Sequence, residues 1–499
     1  MAVGLFLTYY VVKKIGLESY GVYVLITAAG GYLSMLDLGI GTSFVKYVAE
    51  FKALGLKKEI NSLIGTGVSF YSIFGVFIFL LLLFFGGYII DFFKISVNLR
   101  QEASEIILIY AAIMAFSGIF SPYQAVLTGL ERFDISSKLS ATASVLNLAG
   151  AIFFLEKGWG LRGLMINSLL IVLLVGITSV WLALGLMPEV KVNPFYFNRL
   201  MFSKIFGYGW KLQITRLSSV VSSHLEKIII TRFLSLSYVG FYQIGNSLCE
   251  QARSLPILLT GALFPAFSRL SASGNKADIR NAYYRASRYL AFATVGVMSF
   301  LSACSGIIIE IWMGKGYGPA AQVVSILSWG YLFNTVFGAV GASAVQGMGR
   351  TEIQMKGALL NMFLNAFLSA ILIGLFGFSG AAIGTALPLT VSVIYFMYML
   401  HPLLELENRS FFLNMGEIFL AGLSAFFVLL LFLKTAGLPD GRISALWQLT
   451  SSILIYSCVY FSSLFILKPF DSFDRSFFEN SGLAPLKLMR IFCRDEKPV

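Results

Sequence analysis

Apolar residues recur along this chain in long unbroken runs rather than in short periodic patches. "SFYSIFGVFIFLLLLFFGGYII" (69–90) and "FLAGLSAFFVLLLFL" (419–433) are two of them. A run of about 18 or more apolar residues has the length of a membrane-spanning helix. The alternating ten-residue pattern of a membrane β-barrel is missing from the sequence. The pattern predicts about fourteen spans between residues 1 and 467. The first covers 1–14, the seventh 205–233, the eighth 237–268 and the last 444–467. The expected fold class is an all-α polytopic membrane protein.

Composition agrees with the pattern. The chain has 499 residues, 57% of them hydrophobic and 12% charged, whereas soluble proteins carry about a quarter charged residues. A net charge of +12 would point to nucleic acid in a soluble protein. In a membrane protein it points to basic cytoplasmic loops, and nucleic acid is not an expected partner. Loops after even-numbered spans hold 17 Lys and Arg, including Lys57, Lys58, Arg132 and Arg288, against 9 after odd-numbered spans. The expected location is therefore the inner (cytoplasmic) membrane, with even loops and both termini in the cytoplasm. No connection between spans exceeds about 25 residues, which leaves no extramembrane domain for catalysis, so an enzyme is not expected. Cys249, Cys304, Cys458 and Cys493 are scattered, and His224 and His401 are the only histidines. That pattern gives no metal site or disulfide framework, and no cofactor is expected. "GIGTSF" (39–44) fails the GxGxxG pattern of a nucleotide loop.

The sequence also repeats itself. "TGLERFDISSKLSATASVLNL" (128–148) lies over "QGMGRTEIQMKGALLNMFLNA" (346–366) at an offset of 218. Gly129 falls on Gly347, Arg132 on Arg350, Lys138 on Lys356 and Asn147 on Asn365. "YGVY" (20–23) falls on "VGFY" (239–242) at an offset of 219. The offset equals six spans, an even number that preserves direction, so the repeats are parallel about an axis along the membrane normal. The expected organisation is two six-helix lobes related by a pseudo-two-fold, 1–190 and 200–402, then spans 13 and 14 (410–468) and a cytoplasmic tail (469–499). A central cleft near the midplane is where transporters of this kind bind. The first span is short: 14 residues rise about 21 Å against a hydrocarbon core of about 30 Å. The expectation is a start upstream of Met1, in a segment that would hold the counterpart of Arg216.

Two spans carry polar stripes. In "QIGNSLCEQAR" (243–253), Gln243, Asn246, Glu250 and Arg253 recur at i, i+3, i+7 and i+10 on one helical face. Span 7 carries Arg216, Ser219, Ser222, Ser223, Glu226 and Lys227, with His224 beside them. Span 2 contributes Asp37. A charge at the bilayer centre costs about 2.5–3.5 kcal/mol on insertion scales and should face protein or a water-filled cavity. Arg216 and Arg253 in a cavity suit an anion, because a guanidinium matches phosphate oxygens bidentately. Asp37, Glu226 and Glu250 are candidates for proton or sodium coupling. The plainer alternative is that Glu250 and Arg253 form an i,i+3 pair that braces the helix. Lys227 and Arg232 are expected to snorkel at the outer end, and "LAPLKLMRIFCR" (483–494) reads as a basic interfacial helix.

"IGLESYGVYVLITAAGGYLSMLDLGIGTSFVKYVAEF" (15–51), "LSLSYVGFYQIGNSLCEQARSLP" (234–256) and "VQGMGRTEIQMKGALLNMFLN" (345–365) resemble the polysaccharide transporters, the Wzx-type O-antigen flippases, of the multidrug/oligosaccharidyl-lipid/polysaccharide (MOP) exporter superfamily. The resemblance covers nearly the whole chain. It implies a two-lobe transporter that alternates between inward and outward openings, and a monomer. It implies a polyprenyl-pyrophosphate-linked oligosaccharide carried from the cytoplasmic to the outer leaflet, among membrane lipids and beside polysaccharide polymerase and assembly proteins. It also implies cavity cations that engage pyrophosphate, for which Arg216 and Arg253 fit by depth and face. The short first span departs from that pattern. Two other readings are a cation or drug antiporter of the same superfamily, which would want an acidic cavity without arginines, and an O-antigen polymerase or ligase, which would want a long outer loop.

Overall fold

The computed structural model describes residues 2–33, 40–93, 95–187, 197–261, 263–272, 275–437, 439, 441–471, 474–475 and 489–493, and leaves aside some helical side chains, among them those of 208–216, 219, 222 and 223. The described chain is helical and divides into two compact units, Met1–Gly240 and Phe241–Val499.

The first unit holds α1 (Ala2–Ile15), α2 (Leu17–Leu33), α3 (Ile40–Ala53), α4 (Lys57–Phe92), α5 (Val97–Gly129), α6 (Phe133–Glu156), α7 (Gly160–Leu186), α8 (Arg199–Phe233) and the first turn of α9 (Leu236–Ile257). The two faces of α4 show why these helices need lipid. Gly75, Ile78, Leu82, Gly86 and Ile90 are buried inside the unit, while Ile73, Val76, Phe77, Leu80, Phe84 and Tyr88 are exposed. So long an exposed apolar stripe suits hydrocarbon and not water. Small residues let the helices approach: a β-carbon on Gly75 would lie 2.8 Å from Ala115 Cβ on α5, the kind of contact that packs helices in membranes. α8, which the repeat assigns to the second lobe, packs in this unit against α2, α3 and α4.

The second unit continues α9 and adds α10 (Leu263–Ala272), α11 (Lys276–Ala303), α12 (Ser305–Met313), α13 (Gly318–Asn334), α14 (Val340–Gly347), α15 (Thr351–Phe376), α16 (Phe378–Leu400), α17 (Asn408–Ala436) and α18 (Arg442–Leu467). α13 and α14 are joined by a π-helical turn, Thr335–Ala339, and together run as one span. Phe333, Phe337 and Phe419 stack within 6.3 Å of one another and tie α13 to α17.

Among the described residues nine helices are long and apolar enough to cross a membrane, or ten if α11 and α12, bent by 71°, form one broken span. The pattern predicts fourteen. The difference falls on α1, which is short, on α2 and α3, between which residues 34–39 lie outside the described residues, on α8, which carries several charges, and on α9 and α10. This is a polytopic helical membrane protein, and its multi-pass character rests on the other helices.

The two units repeat each other's internal contacts. In the first, α4 packs on α5, α5 on α7, α6 on α7 and α3 on α5. In the second, α11 packs on α13, α13 on α16, α15 on α16 and α10 on α14. The turn after α5 and the turn after α14 share a backbone pattern. Arg132 N donates to Leu127 O (3.0 Å) and Arg350 N to Val345 O (2.7 Å). The preceding residues, Glu131 and Gly349, both have left-handed φ, 59° and 70°. Each arginine then bonds an acid two residues on, Arg132 to Asp134 (3.0 Å) and Arg350 to Glu352 (2.5 Å). A β-carbon on Gly129 would lie 2.8 Å from Val48, and one on Gly347 would lie 2.7 Å from Phe267.

Past α18 the chain turns back onto α11. Arg288, counted with the loop cations on sequence, is buried within α11. It donates to Asp471 Oδ2 (3.0 Å), to the fully buried Asp474 and to Pro469 O (3.3 Å). Tyr289 donates to Asp474 Oδ1 (2.5 Å). Met489–Phe492 is a short 3-10 turn, and Cys493 bridges to Phe470. The remainder of the expected interfacial helix lies outside the described residues.

Candidate functional site

α9 owes its position to small residues on the face beside the polar stripe. A β-carbon on Gly245 would lie 2.7 Å from Ala320 O and from Val323 Cβ of α13, so the two backbones touch. Cys249 is buried with its Sγ 3.7 Å from Val324 O and from Ser328 Oγ. The Tyr242 and Thr385 hydroxyls share a hydrogen bond of 2.8 Å that ties α9 to α16. Successive contacts advance along α9 and α13 in the same sense, so these two helices run parallel. Pro256 stands in the last turn of α9 and the helix ends at Ile257, as a ring without an N–H favours a nearby break.

The structure brings Gln243, Asn246, Glu250 and Arg253 together along this one edge of the second unit. Arg253 Nε donates to Glu250 Oε2 at 2.9 Å, the i,i+3 pair the sequence allows, with the two side chains 24% and 41% exposed. The guanidinium also lies over the ring of Tyr331 on α13, 4.5 Å from its centroid. The Tyr331 hydroxyl in turn donates to Asn246 Oδ1 at 2.7 Å. Gln243 Nε2 donates to Ser247 Oγ at 3.0 Å, and its buried Oε1 has no donor among the described residues. Neither Nη of Arg253 has an acceptor among the described residues. The arrangement is therefore a held cation whose outer N–H groups remain available to an anion.

The other candidates fall elsewhere. Glu226 is on α8 in the first unit and is buried. Lys227 beside it is also buried, with Nζ 3.3 Å from His224 Nδ1, so it does not snorkel; Arg232 is exposed. The His224 ring occupies the space a side chain at Gly31 would need: a β-carbon there would lie 2.7 Å from Nε2. Asp37 lies outside the described residues, and so does the side chain of Arg216, whose backbone is part of α8. Among the described residues no three His, Cys, Asp or Glu side chains converge as a metal site would require. Sequence reasoning missed Tyr331. In "SWGYLFN" (328–334) it reads as one aromatic among several apolar core residues, and only the adjacency of α13 and α9 singles it out.

A family model described as polysaccharide biosynthesis protein matches residues 17–322, more than half of the chain. The chain belongs to that family, the Wzx-type flippases of the MOP superfamily. Among relatives of this family, a Shigella flexneri protein named as an O-antigen transporter is 22% identical over 398 residues, 78% of this chain and 91% of its own. A Haloferax volcanii protein named as the flippase AglR is 22% identical over 404 residues, 79% of this chain and 78% of its own. Among solved structures, the lipid II flippase MurJ in an inward closed conformation matches with a TM-score of 0.73 at 18% identity, covering 93% of this chain and 96% of MurJ. An inward-facing multidrug transporter of the MATE family matches at 0.70 and 17% identity, covering 81% and 94%. At such identities the structural likeness establishes a shared fold. The protein is a multi-pass membrane transporter of the lipid-linked glycan flippase family and not an enzyme.

Proposed function

We propose that this flippase carries a polyprenyl-pyrophosphate-linked oligosaccharide from the cytoplasmic to the outer leaflet by alternating access, for surface polysaccharide assembly. The observation that carries the reading is Arg253, a guanidinium on the polar stripe of α9 whose Nη groups meet no protein acceptor among the described residues. A cation left so exposed within the bilayer is unfavourable unless water or an anion meets it. A pyrophosphate offers the planar oxygen edges that a guanidinium binds bidentately. Asn246 and Gln243 on the same edge suit sugar hydroxyls. Asp37, Glu226 and Glu250 are the carboxylates proposed for proton or sodium coupling, with Arg216 as a second cavity cation.

The proposed architecture has fourteen spans, two six-helix lobes and a pseudo-two-fold along the membrane normal. Nine spans plus α1, α2 with α3, α8, α9 with α10, and α11 with α12 make up that number. The repeated turns and helix contacts support the duplication. So does a reciprocal contact within the first unit: a β-carbon on Gly21 would lie 2.2 Å from Leu236 O, and one on Gly240 would lie 3.0 Å from Leu17 O. At the offset of 219, Leu17 maps to Leu236 and Gly21 to Gly240. Such i-to-j and j-to-i pairing is what a two-fold relation requires.

The test is translocation in proteoliposomes of a labelled polyprenyl-pyrophosphate oligosaccharide by wild type and Arg253→Ala, with a cationic dye as control. The expected result is lipid movement in wild type and its loss in the variant at matched insertion. Normal lipid movement by Arg253→Ala would leave the residue as a brace. Dye movement without lipid movement would favour the antiporter reading, which the MATE-like fold keeps in view.

A further inference from the structure

We infer that Tyr331 is the positioning residue for Arg253, an inference that rests on Arg253 being the cation that meets the substrate pyrophosphate. Bidentate recognition needs the guanidinium plane held at a fixed angle. The single hydrogen bond from Nε to Glu250 does not supply that, because the plane still swivels about the N···O line. Glu250 is also the more exposed partner of the pair. The Tyr331 ring removes the swivel. Its face sits beneath the guanidinium carbon, 4.5 Å from the ring centroid, within the range where the ring face attracts a cation, and it comes from a different helix.

Tyr331 is itself well fixed. Its side chain is buried at 7% exposure, and its hydroxyl is spent on Asn246 Oδ1. The adjoining Gly330 is pressed against α16, where a β-carbon would lie 2.6 Å from Ala386 Cα. The chain of contacts Asn246–Tyr331–Arg253 thus leaves α9, crosses α13 and returns to α9 two turns further on, about 10 Å along the axis. The ring face and the hydroxyl are both engaged by protein. Tyr331 therefore orients the binding group and does not itself meet the ligand. The Nη edges of Arg253 and the Asn246 amide nitrogen, which lack acceptors among the described residues, are the groups left to meet it.

The experiment is the dependence of transport rate on lipid-linked pyrophosphate concentration in proteoliposomes, for wild type, Tyr331→Phe, Tyr331→Leu and Arg253→Ala. Tyr331→Leu loses the ring, and its KM should rise about tenfold with little change in kcat. Tyr331→Phe keeps the ring and loses the tether to Asn246, and its KM should rise about threefold. A purely structural role would lower the maximal rate and leave KM alone, and that result would overturn the inference. A wild-type KM in both variants, with Arg253→Ala inactive, would overturn it while leaving the role of Arg253 intact. Normal transport by Arg253→Ala would remove the foundation for both. If only Tyr331→Phe folds, its KM alone decides.

Discussion

At the residue scale, the duplicated turn offers a controlled comparison. Glu131 and Gly349 occupy the same place in the two turns, and both have left-handed φ. A side chain in that region costs roughly 1–2 kcal/mol that glycine avoids. Nothing within 4 Å would meet a β-carbon on Gly349, so the backbone conformation alone decides. Glu131→Gly should therefore stabilise the protein by about 1 kcal/mol, and Gly349→Ala should destabilise it by a similar amount. Thermal unfolding of the two single variants in detergent checks the opposite signs. Equal shifts in one direction would mean that the turns are not energetically equivalent. Gly129 and Gly347, by contrast, are held by close approach to Val48 and Phe267, and that packing requirement accounts for their appearance in both halves of the repeat.

At the element scale, the segment after α18 is part of the second unit's structure. Arg288 is buried in α11, and its charge is met by Asp471 and Asp474, both contributed by the returning chain. Asp471 and Asp474 also bond each other's backbone: Asp471 N donates to Asp474 Oδ2 and Asp474 N to Asp471 Oδ1, both at 3.0 Å. Removing one partner of a buried ion pair leaves a charge without compensation and typically costs about 3–5 kcal/mol. Asp474→Asn should fall near the lower end of that range, about 3 kcal/mol, because the amide oxygen still accepts one hydrogen bond. The readouts are the unfolding temperature and the appearance of a protease cut after Leu467 at temperatures where wild type is uncut. An unchanged melting curve would show that the tail contributes nothing to the fold. The positive-inside tally treated Arg288 as a loop cation because sequence spacing reports position along a helix, not what folds back over it.

At the scale of the whole molecule, orientation is open to direct measurement. Lys57 and Lys58 stand at the start of α4 and are exposed, as is Arg350 after α14, whereas the exposed Arg100 and Arg162 stand in the first turns of α5 and α7, beside connections of the opposite parity. The excess of basic residues on even loops predicts the cytoplasmic side for the first set. Lys57→Cys and Arg350→Cys should react with an impermeant maleimide only after the cells are opened. Arg100→Cys and Arg162→Cys should react in intact cells. Labelling of both sets in intact cells, measured above the background of native Cys458, would contradict the assignment.

The membrane class, the helical content, the repeat and the polar stripe of α9 all follow from the sequence alone. Each depends on information that lies along one helix: the length of an apolar run, the side on which a polar residue recurs, a motif that appears twice at one offset. The i,i+3 geometry of Glu250 and Arg253 was legible for the same reason. What the sequence left open was the identity of neighbours. Whether Arg253 is only braced or is also aimed depends on Tyr331, 78 positions away, which reaches it because Gly245 lets α9 touch α13. The pairing of Arg288 with Asp474 and the fit of His224 against Gly31 likewise required two distant segments to meet. In the bilayer both sides of such a contact are written in the same apolar alphabet, so hydropathy gives no hint of which helices become partners. Shape, and above all where glycine removes a side chain, decided those contacts, and only the folded molecule displays it.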